Sequence, residues 1–182
     1  MKNTADKKRR VILILGGARS GKSHYAQQLA SELGKDVLFV ATGEALDAEM
    51  QKRIEDHKKS RPASWETVEI SNNIGQNLSR YKKHRVILID CLTLLVANIL
   101  GPCQHPQLAE KEVTAEIEAL GRIMETSHAH FIIVSNEVGL GIVPDNPLAR
   151  IYRDLLGRTN QMIAQLCSEV YLMTAGIPLK IK

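Results

Sequence analysis

Val11-Ile12-Leu13-Ile14-Leu15-Gly16-Gly17-Ala18-Arg19-Ser20-Gly21-Lys22-Ser23 is the stretch on which the reading of this chain turns. A short aliphatic run stops at a glycine pair, and Gly16 to Ser23 then match G-x-x-x-x-G-K-[ST] in full. An uninterrupted apolar run is what a parallel strand covered on both faces requires. Behind the loop, Lys22–Leu33 sets Tyr25, Ala26, Leu29, Ala30 and Leu33 on one helical face, so strand, glycine loop and amphipathic helix follow in the order a phosphate-binding loop needs. Gly16, Gly17 and Gly21 let the backbone curl without Cβ clashes, turning successive N–H groups toward phosphate oxygens at the positive end of the helix. Lys22 is expected to reach the β- and γ-phosphates, and the Ser23 hydroxyl to be a magnesium (Mg2+) ligand.

Working outward, short β-branched or aliphatic runs alternate with longer segments of helical period, and no internal repeat interrupts them. Strands are predicted at Val11-Leu15, Val37-Ala41, Glu66-Ile70, Arg85-Asp90, His130-Ser135 and Glu169-Thr174, with Leu179-Ile181 as a last edge strand. Helices are predicted at Lys22-Leu33, Asp47-Lys59, Asn73-Lys82, Leu92-Leu100, Leu108-Thr126 and Leu148-Leu166. Right-handed crossovers turn this alternation into an α/β domain, a mostly parallel sheet with helices on both faces. Two proline-bearing stretches, Gly101 to Gln107 and Gly139 to Pro147, are expected to be loops, the second of them functional.

The 182 residues, 44% of them hydrophobic, suffice for one domain with a real core. The formal charge of +4 is accounted for by Met1 to Arg10, whose five basic residues face Asp6 alone, so the body is neutral. Residues 1–10 are therefore expected to be a flexible basic tail and 11–182 a single nucleotide-binding domain. A neutral body with 4% aromatic residues argues against a nucleic-acid partner. No apolar run approaches the ~20 residues of a membrane span. Cys91, Cys103 and Cys167 are odd in number and without a C-x-x-C pair, which suggests neither a disulfide framework nor a zinc site and fits a reducing cytoplasm.

Nucleotide chemistry needs a carboxylate on the metal side, and Arg85-Val86-Ile87-Leu88-Ile89-Asp90 supplies one at the end of a buried strand. Asp90 is the candidate second metal ligand beside Ser23, although an N-cap for the following helix would also suit an aspartate. The Asn-Lys-x-Asp signature of guanine-specific GTPases is absent. Asp154-Leu155-Leu156-Gly157 matches D-x-x-G only inside a helical pattern. Small-molecule phosphoryl transfer and nucleotidyl transfer are left standing.

Between them the discriminating segment is Glu49 to Pro62. At 100° per residue, Met50, Ile54 and His57 share one helical face, expected to pack inward. A core histidine is the bland reading. Arg53, Lys58, Lys59 and Arg61 favour another, because a cation cluster attracts triphosphate and disfavours imidazolium, and a neutral imidazole is a competent nucleophile toward phosphorus. The alternative is a simple P-loop kinase for a small metabolite in which His57 only packs or binds substrate.

GGARSGKS at Gly16–Ser23, Ala41-Thr42-Gly43, the block from Asp47 through Arg53-Ile54, His57 and Arg61-Pro62 to Trp65 and Glu69, and DCLT at Asp90–Thr93 form a recognisable set. With Ser135-Asn136-Glu137-Val138-Gly139-Leu140-Gly141-Ile142-Val143-Pro144, Tyr152-Arg153-Asp154 and Asn160-Gln161, the chain resembles the bifunctional adenosylcobinamide kinase / adenosylcobinamide-phosphate guanylyltransferase family of cobalamin biosynthesis. The resemblance implies a RecA-like P-loop fold and a homotrimer. It also implies two reactions on a corrinoid substrate: ATP or GTP phosphorylates adenosylcobinamide, and GTP then guanylylates adenosylcobinamide phosphate, giving adenosylcobinamide-GDP and pyrophosphate. It places a guanylyl phosphoramidate on His57. Nucleotide contacts are implied at Gly16, Gly17, Ala18, Arg19, Ser20, Gly21, Lys22 and Ser23, at Ala41, Thr42 and Gly43, at Lys58, Lys59, Ser60 and Arg61, and at Glu69 and Asp90. Glu69, at a strand end, offers a carboxylate that would accept from guanine N1–H and the exocyclic amine. Two positions depart from the family pattern: Leu95 stands where an aromatic residue is common, and Asp90 where some relatives carry glutamate.

Overall fold

Apolar strands that pair in parallel must be covered on both faces, and the chain meets that demand with helices drawn from between the strands. The computed structural model describes residues 9–45, 47–59, 61–81, 83–103 and 105–182, the side chains of Arg53 and Pro106 aside. Its elements are β1 (Val11–Gly16), α1 (Lys22–Leu33), β2 (Val37–Ala41), α2 (Ala48–Lys59), β3 (Glu66–Glu69), α3 (Ile74–Leu78) and β4 (Val86–Asp90). They continue with α4 (Leu92–Leu100), α5 (Pro106–Thr126), β5 (His130–Val134), α6 (Pro147–Leu166), β6 (Glu169–Thr174) and β7 (Ile177–Lys180). The sheet runs β3-β2-β4-β5-β1-β6-β7, parallel throughout except for β7, which returns antiparallel to β6.

Alternating residues of each strand enter opposite cores. Ile12, Ile14, Phe39, Leu88 and Ile132 pack with Ala26, Leu29 and Ala30 of α1 on one face. Leu13, Val40, Ile87, Ile89 and Ile133 pack on the other face against residues of α3, α4, α5 and α6. Leu95 is fully buried in this second core, so the position where an aromatic residue is common serves packing.

Several element ends differ from the predicted ranges, among them those of α2, α3, α5, α6 and β7, and in α3 and α6 the reason is local. α3 stops at Leu78 because Arg80 N and Tyr81 N bond three residues back, to Asn77 O and Leu78 O, and tighten the chain into turns. α6 begins at Pro147, preorganised for a first helical turn, behind Asn146, whose side chain accepts from Leu148 N and Ala149 N. Asp154 to Gly157 lie inside this helix. At the start of the described chain, Arg10 makes a two-pronged pair with Glu169, at 2.5 and 2.9 Å, and Arg9 donates to the carbonyls of Met124, Glu125 and Ser127. These two residues of the expected tail are thus held to the body; residues 1–8 lie outside the described part.

Candidate functional site

Register places the candidate residues on one line along the C-terminal edge of the sheet. Glu69 is level with Ala41, Ala41 with Asp90, Asp90 with Val134, and Val134 with Ile14, two residues short of the phosphate loop. Ligands of open α/β sheets bind outside these carboxyl ends.

The loop itself has the curled backbone its glycines allow. Gly16 has φ +153°, and a Cβ there would stand 2.7 Å from both Met173 O and Ser20 Oγ, so no larger residue fits. Arg19 takes φ 55°, and Ser20 N donates to Gly17 O at 3.3 Å. Lys22 folds back over the loop, its Nζ donating to Gly17 O at 2.6 Å. Burial pulls its ammonium below the ordinary lysine range, with Cys91 and Asp90 opposing.

Asp90 collects the site's positive groups. Burial pushes its carboxyl above the usual carboxylate range; His57, a hydrogen bond from Ser23, Arg61 and Lys22 work in the opposite direction. His57 Nδ1 lies 3.8 Å from Asp90 Oδ2. The histidine does not sit on a packed face: no described side chain of α2 is buried, and the His57 side chain is 47% exposed. The shared face of Met50, Ile54 and His57 therefore does not enter the core: Met50 and Ile54 are only half-buried, and Ile54 lines a cavity beside Gly43.

Behind Asp90, Thr42 is fully buried and holds the β4–α4 junction. Its Oγ1 donates to Cys91 O at 2.7 Å and accepts from Cys91 N at 2.8 Å, and the Asp90–Cys91 peptide bond is cis. Asn98 Nδ2 donates to Thr42 O at 2.8 Å and Ser71 O at 3.1 Å, which ties the ends of β2 and β3 to α4. Sequence reasoning missed Asn98; the available signal was one amide inside the apolar run Leu92-Thr93-Leu94-Leu95-Val96-Ala97-Asn98-Ile99-Leu100.

Arg61 lies with its guanidinium 3.6 Å from the centroid of the Phe39 ring. Its Nε and Nη1 are buried and, among the described residues, without a hydrogen-bond partner, two donors of the kind an anion would accept from. Lys58 Nζ meets Glu69 Oε1 at 2.6 Å, both groups being well exposed. This pair lines two cavities of about 590 Å³ each, one with Gly43, Ile54 and Ser71, the other with Arg61, Pro62 and Trp65. Lys59 points to solvent, 3.9 Å from Asp56. Ser60 lies outside the described residues. The arginines of α6 have separate tasks: Arg150 donates to Pro144 O and Asp145 O, Arg158 pairs with Glu110, and Arg153 Nη1 is buried with no hydrogen-bond partner among the described residues.

A strand, a phosphate loop with its lysine and serine, and an acid at the end of a neighbouring parallel strand define a P-loop enzyme of nucleotide-dependent group transfer. Residues 12–181 match the family model described as cobinamide kinase / cobinamide phosphate guanyltransferase. The chain is 44% identical over 171 residues to the bifunctional adenosylcobalamin biosynthesis protein CobP of Pseudomonas aeruginosa, covering 93% of this chain and 96% of that one. It is 40% identical over 181 residues to the bifunctional adenosylcobalamin biosynthesis proteins CobU of Escherichia coli K12 and of Salmonella typhimurium LT2, covering 94% of this chain and 99% of each relative. The chain belongs to the cobinamide kinase / cobinamide phosphate guanyltransferase family and is a bifunctional transferase, not a simple kinase.

Proposed function

We propose that one nucleotide cradle serves both reactions and that His57 carries the guanylyl group between GTP and adenosylcobinamide phosphate. The observation that supports this most directly is the 3.8 Å approach of His57 Nδ1 to Asp90, beside the loop that would grip the triphosphate. With Nδ1 facing the carboxylate, Nε2 on the far side of the ring is the nitrogen that attacks the α-phosphorus. The P–N bond forms as the α-phosphorus to bridging-oxygen bond breaks, and pyrophosphate leaves on the Gly16–Ser23 loop with Lys22 compensating its charge. An oxygen of the corrinoid phosphate then attacks the same phosphorus, the P–N bond breaks, and the imidazole is regenerated.

For phosphoryl transfer the same loop holds ATP or GTP with the γ-phosphorus presented to the aminopropanol hydroxyl of adenosylcobinamide. Ser23 Oγ and the Asp90 carboxylate converge as oxygen donors of the kind Mg2+ prefers, and they would hold that ion, which supplies charge compensation to the phosphates. The Nε and Nη1 of Arg61, which have no hydrogen-bond partner among the described residues, suit a phosphate oxygen. Glu69 would exchange Lys58 for the N1–H and exocyclic amine of guanine, with Gly43 lining the cavity beside it, while the buried Ala41 and Thr42, expected as nucleotide contacts, lie outside that lining and brace it from behind.

A homotrimer and a cytoplasmic setting complete this reading. The edge strand β7 exposes Ile177 and Leu179, and Ile181 follows, an apolar border suited to another copy of the chain. Cys91, Cys103 and Cys167 are free thiols, and among the described residues no helix is long and apolar enough to cross a membrane.

Exposure of the purified protein to GTP tests the covalent step. Mass spectrometry is expected to find one added GMP on the peptide containing His57, acid-labile and alkali-stable, and none in His57→Asn. Retention of the adduct in that variant, or its absence from the wild type during turnover, overturns the assignment.

A further inference from the structure

β5 lies between β4, which ends on Asp90, and β1, which runs into the phosphate loop. Past Val134 the chain continues alongside β1: Ser135 N donates to Ile14 O and Glu137 N donates to Gly16 O, each at 3.0 Å. Glu137 is thereby pinned beside the first glycine of the loop. The turn that carries it is also held from the helices, since Asn136 N donates to Thr93 Oγ1 at 2.9 Å and Asn160 Nδ2 donates to Asn136 O at 3.0 Å.

The Glu137 side chain is only partly buried. Its Oε1 accepts from Gly139 N at 2.6 Å; among the described residues, Oε2 has no hydrogen-bond partner and no cation pairs with the group. Asp90 is the opposite case, surrounded by His57, Ser23, Arg61 and Lys22. Of two strand-end carboxylates flanking the phosphate loop, one is compensated by cations and the other is available to a substrate. Beyond Glu137, Leu140, Ile142 and Val143 expose apolar surface suited to the hydrocarbon of a large acceptor.

The two reactions make different demands on a base. An alcohol must lose its proton to become a phosphate ester, whereas a phosphate monoester, with a second pKa of ~6, presents an oxygen already ionised near neutral pH. We propose that Glu137 is the catalytic base of the kinase step alone. Its carboxylate accepts the hydroxyl proton as the alcohol oxygen bonds to the γ-phosphorus; the bond from that phosphorus to the β–γ bridging oxygen breaks, and its electron pair leaves with the nucleoside diphosphate. The proton passes to solvent when product departs. This assignment rests on the nucleotide cradle proposed above and gives the acceptor alcohol its place, on the β5 side of the loop.

The test uses the full chain and Glu137→Gln, whose amide oxygen still accepts from Gly139 N while the basic site is gone. Phosphorylation of adenosylcobinamide is followed with γ-labelled nucleotide, enzyme guanylylation with α-labelled GTP, and GMP transfer with preformed adenosylcobinamide phosphate. Kinase turnover is expected to fall about 10²- to 10³-fold with KM for the alcohol little changed, while both guanylyl steps stay within about threefold. Glu137→Asp is expected to recover part of the kinase turnover. Kinase turnover within about threefold of wild type overturns the proposal, and so does an equal loss in all three assays, which marks a structural role. A wild-type enzyme that neither phosphorylates the corrinoid nor takes up GMP overturns the functional reading itself, and this inference with it.

Discussion

Lys22→Met separates the folding role of the loop lysine from its chemical one. In the folded protein Lys22 Nζ donates to Gly17 O at 2.6 Å and approaches Ser20 Oγ at 3.4 Å, and the side chain is 8% exposed. Replacement costs one hydrogen bond to the carbonyl of an exposed glycine, about 1 kcal/mol. Against that stands relief of the burial that already pulls the ammonium below its ordinary range, and methionine fills nearly the same volume. The net change in stability is expected to stay within about 1 kcal/mol, a shift in Tm of no more than about 4 °C for a chain of this size. Transition-state stabilisation fares differently. One preorganised donor aimed at developing phosphate charge contributes about 3 to 4 kcal/mol, so kcat/KM should fall about 10²- to 10³-fold. On the shared-cradle proposal both reactions should suffer, because the β-phosphate oxygen would depart in the kinase step and the β,γ-pyrophosphate in guanylyl transfer, each from the same loop. Paired assays with γ- and α-labelled GTP, read beside thermal unfolding, measure this. A folded variant that keeps either reaction within about threefold of wild type refutes the shared cradle.

Thr42→Val removes both hydrogen bonds to the Cys91 backbone from a fully buried position, leaving an N–H and a C=O short of partners. Chemical denaturation should report a loss of about 2 to 3 kcal/mol, and a loss below about 0.5 kcal/mol contradicts the bracing role given to Thr42. Glu169→Gln probes the pH dependence of stability. Arg10, with Tyr171 and Lys180, holds the Glu169 carboxyl well below the usual range, at about 2. A depressed folded-state pKa contributes stability that is present above the unfolded value near 4.5 and lost as pH falls through about 2. Wild type should therefore exceed the variant by roughly 2 kcal/mol at pH 6 once exposure is discounted, with the two curves converging near pH 2; parallel curves contradict the account.

Much of the fold is legible in the order of residues because its signals are local. Val37–Ala41 and Glu169–Thr174 end where β-branched and aliphatic runs end, and α1 and α4 span the predicted ranges. Where the reading departs, a contact from elsewhere is responsible or a cap acts. Arg9 and Arg10 read as tail in a basic segment, yet they close on the α5 terminus and on Glu169, far along the chain. The stripe of Met50, Ile54 and His57 has helical period, but periodicity says only that residues share a face, not what that face meets, and here it meets the rim of the site. Asn98 carried no pattern of its own; its function exists only because two loop carbonyls lie within its reach.

The phosphate loop belongs to the first category. Strand, glycine curl and helix are contiguous, and short-range sterics with hydrogen bonds inside that segment dictate its shape, so Gly16 to Ser23 could be recognised before any fold was known. The company that loop keeps could not. Asp90 stands beside His57 and Arg61, and Glu137 beside Gly16, because the strands assemble as β2-β4-β5-β1 and because the level of each strand end follows from its pairing with the next. Those pairings join residues distant along the chain, and they are selected by burial of both sheet faces together, a property of the assembled layers rather than of any stretch of sequence.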